Sequence, residues 1–98
     1  MIIEKTKNGT DLFVTVEGRL DTLTSPQFSN EMRTALDGIS NVTLDFAKLE
    51  YISSAGLRAL LQLRQTLDDK GSVTIVNANE LIKEVFEITG FIDALDFE

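Results

Sequence analysis

Apolar and polar residues alternate in two short segments at the start of the chain, and this pattern predicts a β-hairpin. In residues 12–17 every second residue is apolar, so one face of the strand is suited to burial. Residues 2–7 form the preceding strand, and Asn8-Gly9 between the two segments is typical of a tight hairpin turn. Gly18 ends the second strand.

Three later segments place apolar residues at helical spacing. The first helix is predicted to begin at Ser25, which can cap it, with Pro26 at the first helical position, where no backbone N–H is needed. The second helix is predicted over residues 54–69, and the third over residues 80–89, with Gly90 as its stop. The first helix has an apolar face made of Phe28, Met32, Ala35, Leu36 and Ile39, and the third has Leu81, Val85 and Ile88 on one side.

Short apolar segments between these helices predict further strands. Residues 42–46 and 94–97 are strand candidates, and residues 73–76 are of the β-branched kind that suits burial on both faces. Residues 47–53 are interpreted as a loop. The order β-β-α-β-α-β-α-β predicts a single α/β (α+β mixed) domain over residues 1–98, with a mixed sheet of about five strands covered by about three helices.

Composition narrows the classes of function. The chain has 98 residues, a net charge of −7, and neither histidine nor cysteine. The negative charge disfavours nucleic acid as a partner, and the missing side chains are the commonest general base and the commonest thiolate and transition-metal ligands. We therefore expect no catalytic residues, no metal site and no cofactor. The absence of a long apolar run and of a signal peptide predicts a cytoplasmic protein without membrane insertion.

One segment, residues 51–57 (Y-I-S-S-A-G-L), could carry chemistry because it joins a loop to the second helix. A serine at a helix N-terminus lies near free N–H groups and the positive end of the helix dipole, a site that tolerates a phosphate. The plainer interpretation is structural: Ser53 or Ser54 caps the helix, and Ala55 and Gly56 are small so that it can pack against the sheet. These residue types and spacings leave both interpretations open.

Residues 51–61 (Y-I-S-S-A-G-L-R-A-L-L) resemble the signature of the anti-sigma factor antagonists, bacterial switch proteins built on the STAS domain. Residues 16–21 (V-E-G-R-L-D) resemble an earlier block of that family, and residues 67–76 (L-D-D-K-G-S-V-T-I-V) and 89–91 (T-G-F) resemble later ones. The blocks occur in the family's order and cover nearly the whole chain. The resemblance implies a STAS-like fold and a binding module that is not an enzyme.

The resemblance also implies a phosphorylation switch. It assigns Ser54 as the phosphoacceptor and matches Asp21 to a carboxylate that the family places near the acceptor. Many members carry an aspartate directly before the acceptor, and this chain has Ser53 there, so Ser53 is an alternative acceptor. By the same likeness, the unphosphorylated form binds an anti-sigma factor that is a serine kinase, and thereby releases a sigma factor. A metal-dependent serine phosphatase resets the switch, and ATP and Mg²⁺ belong to the kinase.

The second helix offers a candidate partner surface. Its leucines spread over a broad arc that also contains Arg64, and the plainer interpretation is that this arc is core. The sharper hypothesis is that Leu57 and Leu61 are partly exposed beside Ser54 and face the partner. The full set of predicted partner-binding residues is Asp21, Ser53, Ala55, Gly56, Leu57 and Leu61.

Two other functions stay open on sequence grounds. One is a STAS scaffold in another bacterial assembly, such as stress signalling or lipid transport, in which the serine is not phosphorylated. The other is a small nucleotide-binding protein, which is disfavoured because the chain has no glycine-rich phosphate loop.

Overall fold

A computed structural model describes residues 1–67, 71–92 and 95–98. Within these ranges the chain forms, in order, β1 (Ile2–Asn8), β2 (Asp11–Leu20), α1 (Ser25–Ala35), β3 (Asn41–Asp45), β4 (Leu49–Ile52), α2 (Ser54–Thr66), β5 (Ser72–Val76), α3 (Glu80–Thr89) and β6 (Asp96–Phe97). The predicted mixed α/β fold and its three helices are confirmed, and the sheet has six strands among the described residues.

The sheet is antiparallel at its N-terminal edge and parallel elsewhere. The predicted hairpin is confirmed, since β1 and β2 pair antiparallel from Ile2↔Glu17 to Asn8↔Asp11. The other strands run parallel in the order β2-β3-β5-β6, and β4 also pairs in parallel with β2. The chain therefore builds the sheet outward from β2 through helical crossovers.

The edge of β2 that does not pair with β1 is divided between two strands. Its first half, Asp11–Thr15, pairs with β3, and its last residues, Gly18–Leu20, pair with β4 after an irregularity at Gly18, whose φ is +107°. The prediction of a loop over residues 47–53 is therefore wrong for β4. This strand has four residues, with buried ends and an exposed middle, so it shows no alternation that a sequence could reveal.

The core lies between the sheet and the helices. On α1, Phe28, Met32 and Ala35 are buried as predicted, with Ile39 behind them and Leu36 partly buried. They pack with the inward side chains of the central strands and of α2, which are Leu12, Val14, Val16, Leu20, Val42, Leu44, Val73, Ile75, Leu57, Leu60 and Leu63. The longest helix is α2, with 13 residues, and no helix in the described ranges is long and apolar enough to cross a membrane.

The start of α1 differs from the prediction by one residue. Thr24 occupies the N-cap position and Ser25 is already helical, so Ser25 is not the cap, and Pro26 is the second helical residue. The Ser25 hydroxyl instead donates a hydrogen bond of 2.6 Å to the carbonyl oxygen of Asp21. This bond ties the helix to the end of β2.

The buried face of α3 also differs from the expected apolar side. Ile82 and Phe86 are buried, whereas Leu81 is 53% and Ile88 78% exposed. Phe86 packs edge-on against Phe97 of β6, with 4.9 Å between ring centroids, so this face of the helix lies against the sheet. The predicted ends of α2 at Asp69 and of the last strand at Ala94 lie outside the described residues.

Candidate functional site

The carboxyl ends of β2 and β4 meet at the N-terminus of α2. Leu20 pairs with Ile52, and the next N–H along the chain, that of Ser53, donates a hydrogen bond of 2.9 Å to the Leu20 carbonyl oxygen. Ser53 has extended backbone angles, and α2 begins at Ser54. The chain thus passes directly from β4 into the helix, beside the loop that starts at Asp21.

The two adjacent serines have different surroundings. Ser53 is the N-cap of α2, is half-buried, and its Oγ accepts a hydrogen bond of 3.4 Å from the N–H of Gly56. Ser54 is the first helical residue and is exposed, and the first turn of α2 carries no acidic side chain. The capping role therefore falls to Ser53, and Ser54 lies open to solvent at the positive end of the helix.

Gly56 lets the first turn of α2 lie directly on β2. A Cβ at this position would be 2.6 Å from the carbonyl oxygen of Leu20 and 2.8 Å from Cγ1 of Ile52. Both distances are shorter than real side chains tolerate, and one of the contacted atoms is backbone. The interpretation of Gly56 as small for packing is confirmed.

Asp21 organises the loop between β2 and α1. Its Oδ1 accepts hydrogen bonds from the backbone N–H groups of Leu23 at 3.0 Å and Thr24 at 3.1 Å. The Thr24 hydroxyl donates a bond of 2.8 Å to the Arg19 carbonyl oxygen, which closes the loop back onto the strand. The N–H of Thr24, together with that of Leu23 and with Arg19, holds the pKa of Asp21 below its ordinary value.

Arg19 and Tyr51 form a pair across β2 and β4. The two residues are in register, and Cζ of Arg19 lies 4.4 Å from the centroid of the Tyr51 ring, a cation–π contact. Nε of Arg19 is 3.6 Å from Oδ2 of Asp21. These contacts link the loop at Asp21 to the strand that leads into Ser53.

Sequence reasoning missed three exposed residues near the serines. Arg19 and Tyr51 are neighbours because β4 pairs with β2, and the sequence pattern predicts a loop where β4 lies. Leu23 is 88% exposed, although it is apolar. A lone leucine in a turn gives no signal by itself, so only the structure places it beside this site.

The residues predicted to bind the partner differ in burial, and Leu57 lies in the core. Asp21, Ser53, Ala55 and Gly56 lie at the junction of β2, β4 and α2, where the first three are half-buried and Gly56 is buried. Leu57 is only 1% exposed, so the expectation that it is partly exposed is wrong, because α2 turns this side chain into the core. Leu61 is half-buried, at the edge of that face.

The sequence matches a known domain family over nearly its whole length. A family model described as the STAS domain matches residues 2–98. This chain belongs to the STAS domain family. A protein of Bordetella bronchiseptica named "Putative anti-sigma factor antagonist BtrV" is 36% identical over 86 residues, which cover 83% of this chain and 72% of that protein. The resemblance to the anti-sigma factor antagonists predicted from the sequence is thereby confirmed.

Solved structures share the fold of this STAS domain. The unphosphorylated anti-sigma factor antagonist SpoIIAA superposes with a TM-score of 0.77 at 16% identity, over 99% of this chain and 87% of that one. An anti-sigma factor antagonist from Mycobacterium paratuberculosis gives a TM-score of 0.88 at 18% identity, over 98% and 83% of the two chains. At such identities the match establishes the fold, and the STAS-like architecture is confirmed.

Proposed function

We propose that this STAS domain is an anti-sigma factor antagonist that is switched off by phosphorylation of Ser54. Its unphosphorylated form binds an anti-sigma factor that is itself a serine kinase, and so releases a sigma factor. The observation that carries the proposal is the position of Ser54, exposed as the first residue of α2 directly beside the end of β2. The relative named as an anti-sigma factor antagonist supports the same role.

A phosphate on Ser54 would be compatible with the fold. It adds about −1.5 to −2 charges at neutral pH, and it would stand at the positive end of α2, where no acidic residue of the first turn opposes it. In a partner interface the same charge is removed from water and is costly unless a cation pairs with it. Phosphorylation would therefore end binding without unfolding the domain.

Ser53 is the less suitable acceptor of the two serines. Its oxygen accepts the N–H of Gly56 and its side chain is half-buried, so a kinase would have to break the cap to reach it. A kinase could reach the exposed hydroxyl of Ser54 without breaking the cap that Ser53 forms. The order of preference is therefore Ser54 before Ser53.

The remaining parts of the cycle would be supplied by partners. ATP and Mg²⁺ would be held by the kinase, and a metal-dependent serine phosphatase would restore the binding form. We place the protein in the cytoplasm with these partners. It acts as a substrate and ligand in the cycle and contributes no catalytic residue of its own.

Intact-mass spectrometry tests the proposal. The protein is incubated with ATP, Mg²⁺ and the anti-sigma factor kinases of its source cell, alongside Ser54→Ala and Ser53→Ala. We expect one added phosphate on the wild type and on Ser53→Ala, and none on Ser54→Ala. Modification that persists in Ser54→Ala would move the site, with Ser53 first to be examined. No modification of the folded protein by any kinase would favour a STAS scaffold without phosphorylation.

A further inference from the structure

The outer side of α3 carries a second apolar face, apart from the face that packs in the core. Leu81 is 53% and Ile88 78% exposed, and Val85 lies half-buried between them. We propose that these three residues, called the α3 stripe below, bind a helix of a partner protein whose own apolar face is flanked by lysine or arginine. The proposal does not depend on the function proposed for Ser54, because the α3 stripe contains no residue of that site.

The spacing of the α3 stripe is that of a coiled-coil seam. Leu81, Val85 and Ile88 stand at positions i, i+4 and i+7, the repeat by which one helix packs along another. At about 100° per residue they fall within an arc of roughly 60°, and the centre of this arc is about 110° from that of the buried Ile82 and Phe86. The core uses Ile82 and Phe86, so the stripe is available to a second helix.

Negative charge borders the α3 stripe on its solvent side. Glu84 follows Ile88 by about 40° around the helix, and Glu80 and Glu87 lie next to it. All three glutamates are exposed. Lys83, the basic residue of α3, is half-buried and lies roughly opposite the stripe, so the border of the stripe is acidic.

These charges decide the kind of occupant. A partner helix on the seam places its flanking side chains beside Glu84, where lysine or arginine is attracted and an acidic side chain is repelled. A second copy of α3 packed antiparallel would bring two acidic borders together, because a twofold dimer uses the same surface on both subunits. An anionic lipid surface is repelled for the same reason. The occupant that fits both the apolar seam and its border is therefore a basic amphipathic helix of another protein.

The α3 stripe is held at a fixed place on the domain. Asn79 caps α3, and its amide donates a hydrogen bond of 3.3 Å to the Leu49 carbonyl oxygen at the start of β4. Further along the helix, Phe86 packs against Phe97 of β6. A surface on a helix that is already formed and anchored in this way loses little conformational freedom when a partner covers it.

Binding of synthetic helical peptides tests the proposal. The first peptide has about 21 residues, enough for three heptads, with leucines at the seam positions and lysines on both flanks, and it is stapled so that it is helical and monomeric. A second peptide has glutamate in place of each lysine, and a third has the composition of the first with its leucines scattered around the helix. Calorimetry measures the dissociation constant of each peptide from the protein.

We expect micromolar binding of the first peptide and at least about 10-fold weaker binding of the other two. Equal binding of the first and third peptides would reduce the effect to the net charge of the protein and overturn the proposal. Equal binding of the first and second would show that the acidic border selects nothing, and would overturn the choice of a basic partner.

Substitutions in the stripe locate the binding on α3. Leu81→Ser and Ile88→Ser each remove an exposed apolar side chain, and Leu23→Ser, at a leucine 88% exposed in the β2–α1 loop, is the matched control. We expect the first peptide to bind each stripe variant about 10-fold more weakly, and Leu23→Ser within about twofold of the wild type. All three variants should keep the wild-type melting temperature, because exposed residues contribute little to stability. Equal losses in all three variants, or no loss in the stripe variants, would overturn the proposal.

Crosslinking in the source cell identifies the occupant. A photo-crosslinking amino acid replaces Ile88 in one sample and Gln62, which is exposed on α2, in the control, and the crosslinked segment is sequenced by mass spectrometry. From Ile88 we expect a crosslink to a protein segment that has apolar residues at seam spacing with lysine or arginine beside them. Crosslinks to a second copy of this chain, to lipid, or to nothing beyond the Gln62 control would overturn the proposal.

Discussion

The helices α2 and α3 begin alike, and the comparison of their first turns explains what is special about α2. Each starts directly after an N-cap residue whose side chain accepts an N–H from three residues further on. Ser53 accepts from Gly56 at 3.4 Å, and Asn79 accepts from Ile82 at 2.9 Å. In both helices, therefore, the side-chain oxygen of the N-cap residue accepts one of the N–H groups that has no partner within the helix.

The helices α2 and α3 differ at their first helical position. It is Ser54 in α2 and Glu80 in α3, so α3 already carries a negative charge at the position where α2 carries the candidate phosphoacceptor. A charge there is favourable because it lies at the positive end of the helix dipole. Phosphorylation of Ser54 would therefore give α2 a negative charge at the position where α3 always carries one.

The helices α2 and α3 also differ at their third helical position. It is Gly56 in α2, with the Leu20 carbonyl oxygen against it, and the buried Ile82 in α3. The start of α2 is fixed by backbone lying on backbone, whereas the start of α3 is fixed by a side chain in the core. Ser54 consequently belongs to a helical turn that lies directly against the backbone of β2.

Gly56→Ala should change stability the most, because it disturbs the close contact between α2 and β2. Gly56→Ala places a methyl group within about 2.6 Å of the Leu20 carbonyl oxygen, and the backbone must move to relieve it. We expect the free energy of unfolding to fall by about 1–3 kcal/mol, even after the gain of about 1 kcal/mol that alanine brings to a helix. Urea denaturation measures the change.

Gln62→Ala is the control for this substitution. Gln62 is exposed on the same helix, so alanine there should change the free energy of unfolding by less than about 0.5 kcal/mol. If Gly56→Ala proves as stable as Gln62→Ala, the close approach of α2 to β2 is not what fixes the helix.

The side-chain caps of α2 and α3 should differ in how much each stabilises the protein. Asn79→Ala should cost about 1–2 kcal/mol, because its bond to Ile82 is short and its amide also donates to the Leu49 carbonyl oxygen at 3.3 Å. Ser53→Ala should cost about 0.5–1 kcal/mol, since its bond is longer. Thermal unfolding of both variants gives the order, and a larger loss for Ser53→Ala would contradict it.

A smaller effect tests the equivalence of the first helical positions. Ser54→Glu copies α3 onto α2 and should leave the free energy of unfolding unchanged or raise it by about 0.3–1 kcal/mol, whereas Glu80→Ser should lower it by a similar amount. Both differences should shrink in 1 M salt, which screens the dipole. A destabilised Ser54→Glu would mean that phosphorylation acts by loosening α2.

The smallest effect concerns pH. The pKa of Asp21 is lower in the folded protein than in a free chain, chiefly through the N–H of Thr24. Its contribution to stability is therefore present above the unfolded pKa of about 4 and is lost as the pH falls through the lower folded value. We expect the stability difference between wild type and Asp21→Asn to narrow below pH 4, and pH-dependent denaturation curves measure it. A constant difference would contradict the role of the carboxylate.

The sequence predicted most of what depends on local patterns. The hairpin, the three helices, the core face of α1 and the small Gly56 follow from spacing and residue type, and the structure confirms them. The positions of Ser53 and Ser54 at the start of α2 also follow from the sequence. Their roles differ because α2 begins one residue after Ser53, a boundary that patterns do not resolve.

The errors arise where distant segments decide the outcome. On α3, both Leu81 and Ile82 are apolar, but Ile82 lies four residues before Phe86 on the same side of the helix, and that side is the one buried in the core. Strand β4 exists because β2 extends beyond β3 and offers it an edge. No helical wheel or alternation over a few residues contains that information.

The division of the β2 edge between β3 and β4 also bears on the order in which the parts of the sheet are synthesised. The β1–β2 hairpin is complete once Leu20 has left the ribosome, and its contacts are local, so it can form early. The edge of β2 that does not pair with β1 pairs with β3 and β4, which are synthesised one after the other with only Phe46–Lys48 between them. The two residues that a Cβ at Gly56 would touch, Leu20 and Ile52, both precede α2 in the chain, so the surface on which Gly56 rests is synthesised before the helix.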